Sequence, residues 1–149
     1  MKIFVGADHN GYRLKQAVLD YVKSLGIDCE DVGDEVLNVD DDFPVFAARA
    51  VTALKNSSDL DSRAILLCGS GQGMMMAANR FKGVRAGLGW SIEAAEGIRH
   101  DEDANVLVLP AIDLEKETKE WQKIIDAFIA TPFANVARYR RRNRELDEL

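Results

Sequence analysis

Residues 63–73 read Arg-Ala-Ile-Leu-Leu-Cys-Gly-Ser-Gly-Gln-Gly, an apolar run that passes directly into three closely spaced glycines. The run over 63–68 has the length and the apolar side chains of a buried strand. The residues that follow it predict a helix from Met74 to Phe81. A buried strand that enters a glycine turn and then a helix is the unit from which parallel α/β sheets are built.

The rest of the chain repeats this alternation of strand and helix. Further strands are predicted at 2–7, 27–32, 84–88 and 105–109. Further helices are predicted as one that Gly26 closes, one that Pro44 opens, one over 91–100, and a last long helix with Leu114, Trp121, Ile124, Ile125, Phe128 and Ile129 on one face. Pro132 ends that helix, and the arginine-rich tail is expected to be helical. Five strands that each lead into a helix predict one α/β domain with a parallel sheet covered on both faces.

Composition excludes several classes of protein. The chain has 149 residues, 47% of them hydrophobic, which suffices for one packed core. No apolar run is long enough to form a membrane-spanning helix. With 25 acidic and 19 basic side chains the formal charge is −6, which argues against a dedicated nucleic-acid binder. Asp8 interrupts the first apolar run too early for a signal peptide, so we expect no leader.

Two cysteines in a chain of this length do not make a disulfide framework. We therefore expect free thiols and a cytoplasmic location.

Ligand sites in open parallel sheets form beyond the carboxyl ends of the strands. The loop over 69–73 lies there, and its glycines let backbone amides approach a phosphate, a carboxylate or a developing oxyanion. The spacing is neither that of a P-loop nor that of a dinucleotide-binding motif. The alternative is a tight strand-to-helix turn that binds nothing.

Cys68 stands directly before this loop. A thiol near a helix N-terminus is expected to have a lowered pKa and to serve as a nucleophile or a general base. The alternative is a small buried hydrophobic side chain, which is the commoner role of a lone cysteine. Cys29 is expected to be of that second kind.

Asp8 and His9 follow the first strand, so both side chains are expected near the same crevice. A histidine can relay protons or bind phosphate, and an aspartate can hold sugar hydroxyls. The alternative is an aspartate that caps the next helix beside a surface histidine.

Residues 100–103, His-Asp-Glu-Asp, precede the fifth strand. An imidazole with three carboxyl groups is typical of acid–base chemistry, whereas the spacing gives little support to a metal site. The alternative is a solvated acidic turn.

The segment over 138–144 holds five arginines. Arg138 and Arg142 share one face of a helix, and guanidinium groups suit phosphate oxygens. The alternatives are a plain charged helix and an RNA-binding tail, and the acidic balance of the chain argues against RNA.

These motifs together resemble those of the type B ribose 5-phosphate isomerases and of the related galactose 6-phosphate isomerase subunits. The matching residues, spread over nearly the whole chain, are 6–9, Gly11, Lys15, 42–44, 68–71, Gly73, 77–80, Gly83, Arg85, 105–107, Arg138 and Arg142. No single motif decides the resemblance, but their order along the chain is specific.

The resemblance implies a Rossmann-like three-layer α/β/α sandwich with a five-stranded parallel sheet in the order 2-1-3-5-4. It implies a homodimer or tetramer whose active site lies between subunits, with the tail over 132–149 packed on a partner subunit. It implies no metal and no organic cofactor. The implied reaction is aldose–ketose isomerisation of a phosphorylated sugar, ribose 5-phosphate or a related pentose or hexose phosphate, through a cis-enediolate.

The resemblance also assigns roles to residues. Cys68 is the implied base, and the Ser70 hydroxyl with the loop amides stabilises the enediolate. Those amides belong to Gly69, Gly71, Gln72 and Gly73. Asp8 is implied to hold sugar hydroxyls, and His9 to bind the phosphate together with Arg138 and Arg142 of the partner subunit.

The chain departs from the family pattern in the turn before the fifth strand. The ribose-type enzymes carry a His-Asn pair there, and this chain has Asp101 and Glu102 at those positions. Either Asp101 with a raised pKa or His100 after a one-residue shift of the turn would then supply the ring-opening proton, with His100 and Glu102 among the substrate contacts. Phe43 replaces a family tyrosine, and a family arginine is missing near Ile112. These departures support an alternative function, a sugar-phosphate-binding subunit that is non-catalytic or depends on a partner.

Overall fold

The computed structural model describes residues 1–115 and 119–149. Its strands are β1 (Lys2–Ala7), β2 (Asp28–Asp31), β3 (Arg63–Cys68), β4 (Ala86–Leu88) and β5 (Val106–Pro110). Its helices are α1 (Tyr12–Ser24), α2 (Phe43–Asn56), α3 (Gln72–Ala78), α4 (Ile92–His100), α5 (Ala111–Leu114), α6 (Glu120–Ala130) and α7 (Ala137–Glu148). The predicted alternation of strands and helices is confirmed.

All five strands form one parallel sheet in the order β2-β1-β3-β5-β4, as the family resemblance implied. The six residues of β3 are all buried, because strands flank β3 on both sides and helices cover both faces. The register places Leu67 opposite Ala7 on one side and Leu109 on the other. The carboxyl ends of the three central strands therefore meet at one edge.

Two separate hydrophobic clusters, one on each face of the sheet, make the fold a three-layer sandwich. On one face α1, α4 and α6 cover Ile65 and Leu67. On the other face α2 and α3 cover Leu66. The two sets alternate along β3 because successive strand side chains point to opposite faces.

Two elements differ from the sequence prediction. β2 is an edge strand of charged, mostly exposed residues rather than a buried apolar one. Such charges blunt an open sheet edge against further pairing. The single long helix that was to carry Leu114 is also wrong: Leu114 ends the short α5, and Lys119 adopts a left-handed conformation (φ 74°) at the start of α6.

No helix in the described ranges has the length and apolar character that a membrane crossing demands.

The turn between β1 and α1 is pressed against the end of β3 at Gly11. A Cβ atom at this position would stand 2.6 Å from both the carbonyl oxygen and the Cβ of Leu67. The atoms that this Cβ would contact belong to Leu67 of the central strand β3, whose backbone cannot shift to make room. Only glycine therefore lets α1 start where it does, with Asp8 and His9 just before it.

We predict that Gly11→Ala lowers the free energy of unfolding by about 1–3 kcal/mol, because the methyl group overpacks a rigid backbone contact. Gly97→Ala is the matched control, since nothing lies within 4 Å of a Cβ there and the position is an exposed helix interior. That control should raise the free energy of unfolding by about 0.5–1 kcal/mol. Urea unfolding of both variants measures this, and equal effects at the two positions would contradict the close approach.

Candidate active site

The pairing of β1 with β3 brings Asp8 and Cys68 side by side at the carboxyl edge of the sheet. Ala7 pairs with Leu67, and the amide of Asp8 donates to the carbonyl of Leu67 at 3.3 Å. Both side chains are buried, with 5% of Asp8 and 6% of Cys68 exposed. The two groups are close enough that the Asp8 charge acts on the Cys68 thiol.

The glycine loop after β3 turns through a left-handed residue. Gly71 has φ 76°, and a Cβ there would collide with the side chain of Leu88, so no other residue fits. This turn aims the backbone amides of Gly71 and Met74 at the sulfur of Cys68. The amides of Gly71 and Met74 therefore act on the Cys68 sulfur, whereas the family resemblance implied that the amide of Gly71 stabilises the enediolate.

Burial raises the pKa of the Cys68 thiol above its ordinary value. The amides of Met74 and Gly71 pull the pKa down and the Asp8 charge raises it, but burial is the largest effect. The expectation that the helix N-terminus gives this thiol a lowered pKa is therefore wrong. The sequence shows the glycine loop but not how completely the thiol is withdrawn from water.

Asp8 holds the turn that leads into α1. Its Oδ1 accepts hydrogen bonds from the backbone amides of Asn10 and Gly11 at 3.0 and 3.1 Å, but the N-cap of α1 is Gly11 and receives no side-chain cap, so Asp8 is not the helix cap that the sequence left open. Burial raises the pKa of Asp8, and these two amides oppose the shift. No further hydrogen bond to this carboxyl group comes from the described part of the chain, so Oδ2 is available to a ligand.

His9 is held by two neighbours that the sequence analysis did not name as site residues. Its Nδ1 donates to Oδ1 of Asp41 at 2.6 Å, and the side-chain Nδ2 of Asn10 lies 2.9 Å from its Nε2. The hydrogen bond to Asp41 raises the pKa of His9. Nothing in the sequence links Asp41 to a residue 32 positions earlier.

Two apolar side chains flank the glycine loop at the positions where the sequence departs from the pattern of the family that it resembles. A Cβ on Gly73 would stand 2.9 Å from the ring of Phe43, so the ring lies directly over the start of α3. The amide of Ile112 donates to the carbonyl of Gly69 at 3.1 Å, and its side chain lies against the same glycine. Ser70 and Gln72 of the same loop are exposed.

The remaining predicted site residues lie at the opposite edge of the sheet. α4 starts beyond the carboxyl end of β4 and runs back, so its last residue, His100, lies near the amino end of β5. α7 and the segment that leads into it pack there. The backbone amide of Ala134 donates to the backbone carbonyl of His100, and the side chain of Asn143 donates to the backbone carbonyl of Asp101. The arginines of α7 therefore approach the 100–103 turn.

His100 and Asp101 form a pair within this second group. Nδ1 of His100 donates to Oδ1 of Asp101 at 2.6 Å, and the His100 ring meets that of Tyr139 edge to face at 6.1 Å. The hydrogen bond from His100, with a further one from Tyr139 and the charge of Arg138, lowers the pKa of Asp101. A lowered pKa is the opposite of what an acid at Asp101 requires.

The pKa of Glu102 is shifted in the opposite direction from that of Asp101. Burial raises the pKa of Glu102 and the Asp101 charge adds to the effect, while the positive charge of Arg142 opposes it. The backbone carbonyl of Glu102 accepts from Nε of Arg85 at 2.7 Å, which fixes the turn. Arg142 therefore lies near Glu102, as Arg138 does near Asp101.

The predicted site residues thus fall into two groups. The carboxyl-edge group comprises Asp8, His9, Cys68, Gly69, Ser70, Gly71, Gln72 and Gly73. The amino-edge group comprises His100, Asp101, Glu102, Arg138 and Arg142. A six-residue strand such as β3 separates the two edges by roughly 17 Å. One copy of the chain does not bring the groups together.

Within the described ranges, no group of three or more His, Cys, Asp or Glu side chains is arranged to hold a metal ion.

Comparison with known proteins finds consistent relatives over almost the whole chain. A model of the family described as Ribose/Galactose Isomerase matches residues 3–146. A ribose-5-phosphate isomerase B of Mycobacterium tuberculosis is 35% identical over 142 residues, which are 95% of this chain and 85% of the relative. A 4-deoxy-4-sulfo-D-erythrose isomerase of a Clostridium species is 39% identical over 109 residues, 73% of this chain and 67% of the relative.

Solved structures agree with the sequence relatives. The crystal structure of a ribose 5-phosphate isomerase from Thermotoga maritima superposes with a TM-score of 0.91 at 38% identity, covering 99% of this chain and 98% of that one. A ribose-5-phosphate isomerase B from Mycoplasma genitalium, solved with bound ribulose-5-phosphate, gives a TM-score of 0.89 at 34% identity, covering 99% of this chain and 94% of that one.

The raised pKa of Cys68 is testable by NMR titration of ¹³Cβ-labelled cysteine in a Cys29→Ser background, which leaves one thiol. We expect Cys68 to titrate above its ordinary pKa of 9.0 and Asp8→Asn to lower that value, because the Asp8 charge opposes the thiolate. Asp20→Asn is the control, since Asp20 is not among the charges that act on Cys68. A thiol that titrates below 9.0, or is indifferent to Asp8→Asn, would contradict this description of the site.

Proposed function

Because the chain belongs to the ribose/galactose isomerase family and is an aldose–ketose isomerase of phosphorylated sugars, we propose that Cys68 is the base of its reaction. The observation that carries this proposal is the position of the thiol. It ends the central strand, receives two backbone amides and lies beside Asp8 at the carboxyl edge of the sheet. Within the carboxyl-edge group, Asp8 and His9 are already held by other hydrogen bonds.

The proposed proton transfer runs between neighbouring carbons of the sugar. The Cys68 thiolate removes the proton next to the carbonyl group, which leaves a cis-enediolate and a neutral thiol. The thiol returns that proton to the adjacent carbon, while the hydroxyl proton on the oxygen of carbon 2 moves to the oxygen of carbon 1, and the aldose has become a ketose. The amides of Gly71 and Met74 stabilise the thiolate at the start and the end of this cycle.

The negative charge of the enediolate needs hydrogen-bond donors near its oxygens. The Ser70 hydroxyl is exposed beside the thiol, and the first amides of a helix have no acceptor inside that helix. We propose that the amides of Gly69, Gln72 and Gly73 take this role together with Ser70. Oδ2 of Asp8 then holds a sugar hydroxyl.

The substrate proposed is ribose 5-phosphate or a related pentose or hexose phosphate. Support comes from the named activities of the relatives and from the ribulose-5-phosphate bound to the Mycoplasma protein. The relative named for 4-deoxy-4-sulfo-D-erythrose indicates that similar chains accept another anionic sugar. The hydrogen bond to Asp41 raises the pKa of His9, which favours its proposed role in binding that anionic group.

We propose that the working enzyme is a homodimer, alone or paired into a tetramer. Arg138 and Arg142 lie at the opposite edge of the sheet from His9, so they can reach the phosphate only from a second copy. The segment over 132–149 is proposed to pack on the partner subunit for this purpose. The alternative, a non-catalytic or partner-dependent subunit, is an outcome of the first test below.

Within the amino-edge group, the arrangement favours His100 over Asp101 as the ring-opening acid. His100 donates from Nδ1 to Asp101, so its Nε2 is left for the ring oxygen of the sugar. Asp101, whose pKa is lowered, accepts this hydrogen bond and orients the imidazole. Glu102 and His100 are proposed to contact the sugar from the partner side.

Solvent deuterium exchange tests the base. In deuterated water, the wild-type protein should introduce deuterium at carbon 2 of ribose 5-phosphate, and Cys68→Ala should lose this exchange by at least about 10³-fold, because the proton acceptor is gone. Cys29→Ala is the control and should retain full exchange. Exchange by Cys68→Ala would exclude Cys68 as the base, and no exchange by the wild type with any sugar phosphate would favour the partner-dependent subunit.

Mixing two inactive variants tests the shared site. Cys68→Ala and Arg142→Ala each damage a different half of the site, so random reassortment into dimers should restore about one quarter of the wild-type sites. Cys68→Ala mixed with Cys68→Ser should restore none, because both variants lack the same half. Failure of the first mixture to recover activity, with subunit exchange shown by mass spectrometry, would place the whole site within one copy.

A further inference from the structure

The loop after β2 reaches His9 through Asp41. The Asp41 side chain is only 4% exposed, and its Oδ1 takes the hydrogen from Nδ1 of His9 at 2.6 Å. Asn10 lies on the other side of the ring, 2.9 Å from Nε2, and also borders Gly69 in the glycine loop. A continuous chain of contacts therefore runs from Asp41 through His9 and Asn10 to the loop beside Cys68.

We propose that Asp41 is a positioning residue that holds the His9 imidazole in the orientation and protonation needed to bind the anionic group of the substrate. This proposal rests on the proposed function, in which His9 contacts the phosphate. It goes further in assigning the orientation and charge of His9 to a residue from a different loop.

A buried lysine of α1 holds the start of the loop that carries Asp41 through hydrogen bonds. Lys15 is fully buried in α1, and its Nζ donates to both carboxyl oxygens of Asp31 at 2.9 and 2.8 Å and to the carbonyl of Asp34 at 2.6 Å. The hydroxyl of Tyr12 donates to the carbonyl of Glu35 at 2.9 Å. The start of the loop is thus tied to the same helix that begins just after His9.

The hydrogen bond to Asp41 has two consequences for His9. It places the hydrogen of the neutral ring on Nδ1, which leaves Nε2 directed toward Asn10 and the glycine loop. It is also the largest cause of the raised pKa of His9. The imidazolium is therefore retained to higher pH. Its Nε2–H is then a donor, so the side-chain amide of Asn10, which donates to Nε2 of the neutral ring, turns aside for an anion to accept from Nε2–H.

The charged groups that face His9 are all acidic. Asp41 is hydrogen-bonded to the ring, and Asp8 and Asp40 act on it through space. Asp40 supplies a natural control, because it carries the same charge one residue away and makes no hydrogen bond to His9. If Asp41 acts through its hydrogen bond, Asp41→Asn must change the pKa of His9 more than Asp40→Asn does.

The first readout needs no variant and no turnover. The chain has two histidines, so ¹⁵N-labelled imidazole gives two resolvable sets of signals. We expect the neutral His9 ring to be the Nδ1–H tautomer, to titrate above 6.5 and to shift when inorganic phosphate is added. A neutral ring protonated at Nε2 would overturn the proposal.

The second readout compares Asp41→Asn with Asp40→Asn. Asp41→Asn should lower the pKa of His9 and raise KM for ribose 5-phosphate about tenfold at pH 7.5, with kcat nearly unchanged, because a charge-assisted hydrogen bond to the anion is lost. As the pH falls below the lowered pKa, His9 is charged again and KM should return toward that of the wild type. Asp40→Asn should change KM by much less.

The outcomes that overturn the proposal are distinct. A His9 titration unaffected by Asp41→Asn, equal effects of the two variants, or a loss of kcat without a rise in KM would each do so. The His100 signals in the same spectra show whether a variant retains the fold. If a variant is misfolded, the tautomer of wild-type His9 alone tests the proposal. Failure of the proposed function is a separate result, because it would appear as absence of turnover in the wild type.

Discussion

The parallel pairing of β1 with β3 is the contact on which the site depends. It sets Asp8 beside Cys68, and the absence of a side chain at Gly11 lets the turn before α1 come close enough for the Gly11 amide to donate to the same carboxyl group. Both acidic groups are thereby withdrawn from water, and burial raises the pKa of each. A thiol that is hard to ionise is a strong base once it is ionised, and the amides of the glycine turn are placed to receive its charge. Burial and amide donors together are the physical basis for proposing Cys68 as the base.

The same topology separates the candidate site residues into two groups. In a parallel α/β sheet the helices run back, so the turn that follows α4 lies at the amino edge, about one strand length from the carboxyl edge. In the proposed function, the base Cys68 lies at one edge, and Arg138, Arg142 and the His100–Asp101 pair lie at the other. A homo-oligomer that apposes the two edges completes every site with the same two surfaces. The acidic turn at the amino edge is itself organised, because α7 supplies Tyr139 and Arg138 to hold Asp101 as a hydrogen-bond acceptor for His100.

Sequence reasoning predicts the elements better than it predicts the environment of their side chains. Apolar runs and glycines are local signals, so β3 and its loop follow from residues 63–73 alone, whereas the strand order came from the family resemblance. The break between α5 and α6 depends on a left-handed backbone at Lys119, a residue type that does not signal one. The pKa direction of Cys68 depends on burial, and that of Asp101 on the hydrogen bond from His100 and then on one from a tyrosine of another helix. The Asp41–His9 pair joins residues 32 positions apart and is visible only once the loop has folded.

The central claim, that Cys68 is the base at the end of β3, is tested most directly by affinity labelling. An α-iodoketone analogue of a pentose 5-phosphate places an alkylating carbon where the proton is removed. The account predicts one adduct per chain, on Cys68, formed faster as the pH rises through the raised thiol pKa and prevented by ribose 5-phosphate. Peptide mass spectrometry locates the adduct. Labelling of Cys29 alone, or labelling of Cys68 that ribose 5-phosphate does not prevent, would contradict the account.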